Sequence, residues 1–140
     1  MIGETFATAG AVPADGCVLA LPFLILDHSR MIDPSRFAIT RKWPALDPDR
    51  IQLYSTTSPN GVKVSIMLEE TGLSYEPHLV SLDAQDNLSP EFMSLNPYGK
   101  IPAIIDPHGP DGEPLALFES GAILIYLADK TGQFLPASSA

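Results

Sequence analysis

Gly99-Lys-Ile-Pro-Ala-Ile-Ile-Asp106, followed by Leu115-Ala-Leu-Phe-Glu-Ser-Gly121, is the stretch whose reading decides the fold. Residues 101–105 are a short apolar run and read as a strand. Residues 106–114 hold Gly109, Pro110, Asp111 and Gly112, the residues of a hairpin connection. Residues 115–118 return as a second strand. Ser120, a good N-cap residue, then opens a helix that runs to Lys130 and stops at Gly132. Its run Ala122-Ile-Leu-Ile-Tyr-Leu-Ala128 is apolar nearly all round, which predicts deep burial.

Upstream, Ile51-Gln-Leu-Tyr-Ser55 alternates apolar and polar residues as a strand does. The cluster Ser58-Pro59-Asn60-Gly61 is a turn. A helix over residues 61–70 follows, with Val64, Met67 and Leu68 on one face and Gly72 as its C-terminal cap. Residues 75–82 read as a strand that Pro77 places at an edge or a strand start. Ser89-Pro-Glu91 starts a short helix ending near Asn96-Pro97. The order is βαβ, a short helix, then ββα. A parallel pair joined by a helix, followed by an antiparallel hairpin and a covering helix, is a thioredoxin-like α/β fold with a mixed four-stranded sheet. It spans residues 51–136.

Residues 1–50 form an irregular N-terminal extension with no sustained period. Trp43-Pro44 and Asp47-Pro48 disfavour helix there, so residues 36–50 read as an extended arm that packs Trp43 against the domain. Residues 1–30 read as an irregular or non-native leader, with Met31 as an alternative start. The apolar residues 17–26 are too short to span a bilayer, and no base precedes them as a signal peptide requires. The formal net charge of the 140 residues is −9, and −8 of it falls after Arg50, where only Lys63, Lys100 and Lys130 are basic. Such a domain repels phosphate backbones, which argues against nucleic acid as a partner. Cys17 is the one cysteine, so no intramolecular disulfide or zinc pattern exists, and a reduced, cytoplasmic setting is expected.

Three features carry chemistry. Pro102 opens a strand directly after a loop. A trans proline would simply begin the strand, whereas a cis bond would turn the Ile101 backbone outward to pair with an extended peptide; the βα order favours cis. At Glu119-Ser120 a strand gives way to a helix whose first-turn N–H groups attract an anion, while Glu119 can grip an ammonium group. Both ends of an α-amino acid fit such a site, although ordinary capping explains an isolated Glu-Ser pair. At Ser58-Pro59-Asn60 a hydroxyl or amide can hydrogen-bond a thiolate, or the turn can simply cap the helix with Asn60. No cysteine stands there, so the sulfur must belong to a ligand. His28, His78 and His108 are scattered without metal-ligand spacing, no metal is expected, and Tyr54 reads as core.

These residues resemble the N-terminal domain of a cytosolic glutathione transferase, nearest the bacterial nu-class, or disulfide-bond oxidoreductase-like, branch. The resemblance rests on Tyr54, Ser58-Pro-Asn-Gly61, Leu68-Glu-Glu-Thr-Gly72, Ser89-Pro-Glu-Phe92, Asn96-Pro97, Lys100-Ile-Pro-Ala-Ile104 and Leu117-Phe-Glu-Ser-Gly-Ala-Ile-Leu-Ile-Tyr-Leu-Ala128. Residues 37–50 also resemble the arm that precedes the domain in that branch. The resemblance implies glutathione as co-substrate: Glu119 and Ser120 at its γ-glutamyl end, the Ile101 backbone and cis Pro102 at its cysteinyl unit, Lys100 and Asn87 at its glycyl end, and Ser58 and Asn60 near the sulfur. The branch usually has Thr in place of Ser58 and Gln in place of Asn87. The implied activity is glutathione conjugation or glutathione-dependent disulfide reduction in a homodimer. A truncated, non-catalytic glutathione-binding or interaction module is the alternative. In such transferases an all-helical domain follows; here residues 137–140 read as a truncated linker, so the apolar last helix is expected to expose a hydrophobic face.

Overall fold

In a computed structural model, residues 36–136 are described; Cys17, His28 and the leader lie outside them. The chain runs β1 (Ile51–Ser55), α1 (Pro59–Thr71), β2 (Tyr75–Leu79), α2 (Pro90–Met93), β3 (Ala103–Asp106), β4 (Leu115–Phe118) and α3 (Ser120–Thr131). The sheet order is β2-β1-β3-β4, with β1 parallel to β2 and antiparallel to β3, and β3 antiparallel to β4. This is the mixed four-stranded sheet expected from the element order. Pro77 lies in the edge strand β2, where its missing N–H costs no ladder bond. Gly72 and Gly132 end α1 and α3 in the left-handed conformation, at φ 70° and 67°.

Side chains alternate through the central strands and build two cores. Ile51, Leu53 and Ile104 face α1 and α3, where Val64, Leu68, Ile123 and Leu127 meet them. Tyr54, Ala103 and Ile105 face the other way, toward Phe92 and Leu95. The alternation of β1 therefore does not mark a wet face, because Gln52 is as buried as its apolar neighbours. The arm explains this. Ile39 is fully buried in the second core, and Trp43 packs edge-on to Tyr54 and Phe92, with centroids at 6.1 and 6.3 Å. The Trp43 Nε1 donates to the Leu79 carbonyl at 3.0 Å. Residues 38–41 form a 3₁₀ turn, where an extended chain was expected. Both X-Pro pairs lie beyond it, so neither opposes it.

Polar contacts fasten the arm to β1 and β2. Gln52 Nε2 donates to the carbonyls of Asp47 and Arg50, and Glu76 accepts the amides of Leu46 and Asp47. His78 stacks on Tyr54 at 4.7 Å, and its Nε2 lies 2.7 Å from Gln52 Oε1. His108 meets Asp49 at 2.9 Å. Two histidines that the sequence leaves scattered thus each have a partner, Gln52 of β1 for His78 and Asp49 of the arm for His108. At the far end of α3, buried Asp106 accepts from the Tyr126 hydroxyl at 2.6 Å and from Lys130 at 2.9 Å.

The deep burial expected for α3 holds for one face. Ile123, Leu127 and Ala128 are buried, while Ile125 is 61% exposed and lies with exposed Val62 and Ile66 of α1 among the uncovered apolar residues.

Two measurements follow. Ile39→Ala should cost about 2–4 kcal/mol in urea denaturation, as for a fully buried residue; no loss would place the arm outside the folded unit. Burial pushes the His78 imidazole below its ordinary value of 6.5, with Glu76 opposing. The unfolded chain then binds more protons than the folded one below that value, so this contribution to stability is complete above pH 6.5 and declines as the pH falls. His78→Leu should flatten that part of a stability–pH curve.

Candidate functional site

The register decides where the three chemical features meet. Tyr54 pairs with Ala103, and Ala103 pairs with Phe118. One row across the sheet therefore joins the end of β1, the start of β3 and the end of β4. The segments just beyond it, Thr56-Thr-Ser58, Ile101-Pro102 and Glu119-Ser120, emerge at the same edge. Strand spacing of about 4.8 Å separates neighbours, so the outer two lie roughly 10 Å apart. That is the reach of a short extended peptide.

The peptide bond Ile101-Pro102 is cis, as the element order favoured. Pro102 is buried, and Ile101 lies ahead of β3 rather than inside it. Two caps differ from expectation. Ser58, not Asn60, caps α1, its Oγ accepting the Gly61 amide at 3.1 Å. Pro59 and Asn60 fall inside the first turn, because proline suits that position and leaves the preceding residue extended. The Ser58 hydroxyl hydrogen remains available to a ligand. Asn60 is exposed, and no side-chain hydrogen bond engages it among the described residues.

At α3 the cap position belongs to Glu119, and Ser120 is the first helical residue, 9% exposed. Glu119 has φ 71° and ψ 113°, a conformation that L residues rarely adopt. Its exposed carboxylate makes no hydrogen bond or ion pair among the described residues. The strained backbone carries it beside the first-turn amides of a 12-residue helix, whose dipole favours an anion. A carboxylate acceptor and an anion-attracting helix end thus stand side by side.

Lys100 is exposed and unpaired among the described residues, whereas Lys130 is taken by Asp106. Asn87 Nδ2 donates to the Gly99 carbonyl at 2.7 Å, so the structure places it against the loop that carries Lys100. Asn96, read only as a helix end, donates to the Lys100 carbonyl at 2.6 Å. A hollow of about 350 Å³, with Thr56, Thr57, Ser58, Ser81 and Asp83 in its lining, opens beside Ser58. Tyr54 is core: it is fully buried, its hydroxyl has no partner among the described residues, and burial pushes its ionisation upward. Among the described residues no group of three or more His, Cys, Asp or Glu is arranged to hold a metal, and no helix is long and apolar enough to cross a membrane.

A mixed four-stranded sheet with a cis-proline loop ahead of β3, a capped first helix and a covering helix after β4 defines a thioredoxin-like domain. Comparison with known proteins narrows it. The family described as Glutathione S-transferase, N-terminal domain, matches residues 50–129, and the chain belongs to that family. The disulfide-bond oxidoreductase YfcG of Escherichia coli (strain K12) is 53% identical over 87 residues, 61% of this chain and 40% of that protein. YghU of the same organism, also a disulfide-bond oxidoreductase, is 48% identical over 93 residues, 61% of this chain and 31% of its own. A glutathione transferase from Burkholderia graminis, solved with two glutathione molecules per subunit, is 74% identical with a TM-score of 0.75; the likeness covers 77% of this chain and 45% of that one. One from Pseudomonas putida, solved with one glutathione disulfide per subunit, is 68% identical with a TM-score of 0.73, over 74% of this chain and 45% of that one. The chain thus spans less than half the length of each.

The strain at Glu119 predicts that Glu119→Gly is more stable than Glu119→Ala by about 1 kcal/mol or more, since only glycine adopts that φ freely. Equal urea midpoints would show that the residue is not held in this conformation.

Proposed function

We propose that this domain binds glutathione as an extended peptide across the sheet edge and presents its sulfur for glutathione-dependent disulfide reduction or conjugation. The observation that carries this reading is the shared row Tyr54–Ala103–Phe118, which brings the Ser58 turn, the cis Ile101-Pro102 bond and Glu119-Ser120 to one edge. The glutathione bound in the Burkholderia graminis and Pseudomonas putida proteins supports it, as does the description of YfcG and YghU as disulfide-bond oxidoreductases.

In this reading the γ-glutamyl carboxylate sits on the first turn of α3 at Ser120, and Glu119 holds its ammonium group. The cysteinyl unit pairs with the Ile101 backbone beside Pro102. Lys100 and Asn87 serve the glycyl end. This arrangement lets an acidic chain hold an anionic peptide, because the attraction is local: one helix end and one lysine. The sulfur comes to lie near Ser58 and Asn60. A hydroxyl or amide N–H donated to the thiolate lowers its pKa and raises its share at neutral pH. The only cysteine of the chain, Cys17, lies in the N-terminal extension, so the reacting sulfur is the ligand's. In disulfide reduction the glutathione thiolate attacks one sulfur, a mixed disulfide forms, and the other sulfur leaves as a thiolate.

The greater length of the relatives and the exposed apolar residues Val62, Ile66 and Ile125 support a helical second domain seated on α1 and α3. With it goes the reading of a cytoplasmic homodimer.

Isothermal titration tests the binding. Glutathione should bind, and Glu119→Gln should weaken it about tenfold or more, the scale of a hydrogen bond to a charged group. Ser58→Ala should raise the pKa of the bound thiol, read from ultraviolet thiolate absorbance, more than it weakens affinity. No heat at millimolar glutathione would sink the proposal.

A further inference from the structure

The loop between α2 and β3 is held by two side-chain amides. Asn96 is 1% exposed; its Nδ2 donates to the Lys100 carbonyl at 2.6 Å, and its Oδ1 accepts the Tyr98 amide at 3.0 Å. Its own backbone carbonyl accepts the Gly99 amide at 2.9 Å. From a different segment, Asn87 Nδ2 donates to the Gly99 carbonyl at 2.7 Å. Two consecutive carbonyls, those of Gly99 and Lys100, are thus fixed by residues from two different segments.

Packing agrees with the hydrogen bonds. Gly99 is buried at φ 60°, and a Cβ there would meet Leu88 Cδ2 at 2.9 Å and the Asn87 carbonyl oxygen at 3.1 Å. The loop therefore lies directly on the backbone of Asn87 and the side chain of Leu88. Within it only the Lys100 side chain is charged, and no partner engages its ammonium group among the described residues. Fixing the peptide groups on both sides of a lysine leaves just its rotamers to be ordered when an anion arrives, which lowers the entropic cost of binding.

We infer that Asn87 and Asn96 are positioning residues: by clamping the loop they aim Lys100 past the Ile101 backbone, and so select a thiol peptide that carries a free carboxylate one residue beyond its cysteine. This rests on the glutathione reading above. Asn87 then serves the glycyl end through the loop it holds.

The test compares glutathione with γ-glutamylcysteine, which lacks the glycine, by isothermal titration on the full 140-residue chain. The wild type should prefer glutathione by about tenfold, the scale of one charge-assisted contact. Asn87→Ala and Asn96→Asp should bind γ-glutamylcysteine nearly as the wild type does, yet prefer glutathione by less than about threefold; Lys100→Met should do the same. Asn87 is half-buried, so its variant answers the question even where a change at buried Asn96 prevents folding. A parallel loss of both ligands in Asn87→Ala would reduce the clamp to general support and overturn the inference. So would a preference that survives Asn87→Ala, or a wild type that binds both peptides equally; in these two cases the glutathione reading stands. A wild type that binds neither peptide would remove that reading, and the inference with it.

Discussion

The hydrogen-bond register between β1, β3 and β4 is the constraint on which everything else depends. It sets Tyr54, Ala103 and Phe118 side by side. β1 and β3 send alternate side chains into the two cores, and β4 half-buries Leu117 against one and Phe118 against the other, so slipping any of these strands by one residue would exchange those sets. The two cores therefore hold the register, and the register places a capped turn, a cis-proline loop and a helix end within one peptide's length. The side chains of Glu119, Lys100 and Asn60 take no part in bringing them together. Among the described residues these three side chains stand without partners.

The supports of the site are polar and local. Asn96 and Asn87 hold the loop before Pro102, while Asp106 ties β3 to α3 through Tyr126 and Lys130. Gln52, Glu76 and His78 fasten the arm to the opposite side of the sheet. Each is a buried or half-buried polar group whose partners are met, so each contributes position more than net stability. Among the described residues the buried Tyr54 hydroxyl alone lacks a partner, while its ring stacks on His78 and meets Trp43 edge-on.

The element order was legible because its signals are short-range: Gly72 and Gly132 as caps, Ser89-Pro90 as a helix start, and turn residues between Asp106 and Leu115. The site residues were legible as types at the ends of those elements. What escaped depends on groups distant in sequence. The alternation of β1 identified a strand but not the burial of Gln52, because the arm that covers it lies outside the domain's repeating pattern. Ser120 looked like a cap because serine is the better capping residue; a glutamate in a strained conformation has no local signature. Asn96 looked like a helix end, since its bond to Lys100 depends on how the following loop folds back. The exposure of Ile125 shows the same limit, because an all-round apolar helix does not say which face lacks a neighbour.

The most direct measurement of the central claim is a two-dimensional amide spectrum of the isotope-labelled chain titrated with glutathione. The account predicts the largest shifts at Ser58, Asn60, Ile101 and residues 119–122, the three segments that the shared row brings together. Shifts confined to the apolar groove between α1 and β2, lined in part by Leu53, Val62 and Leu79, would contradict it.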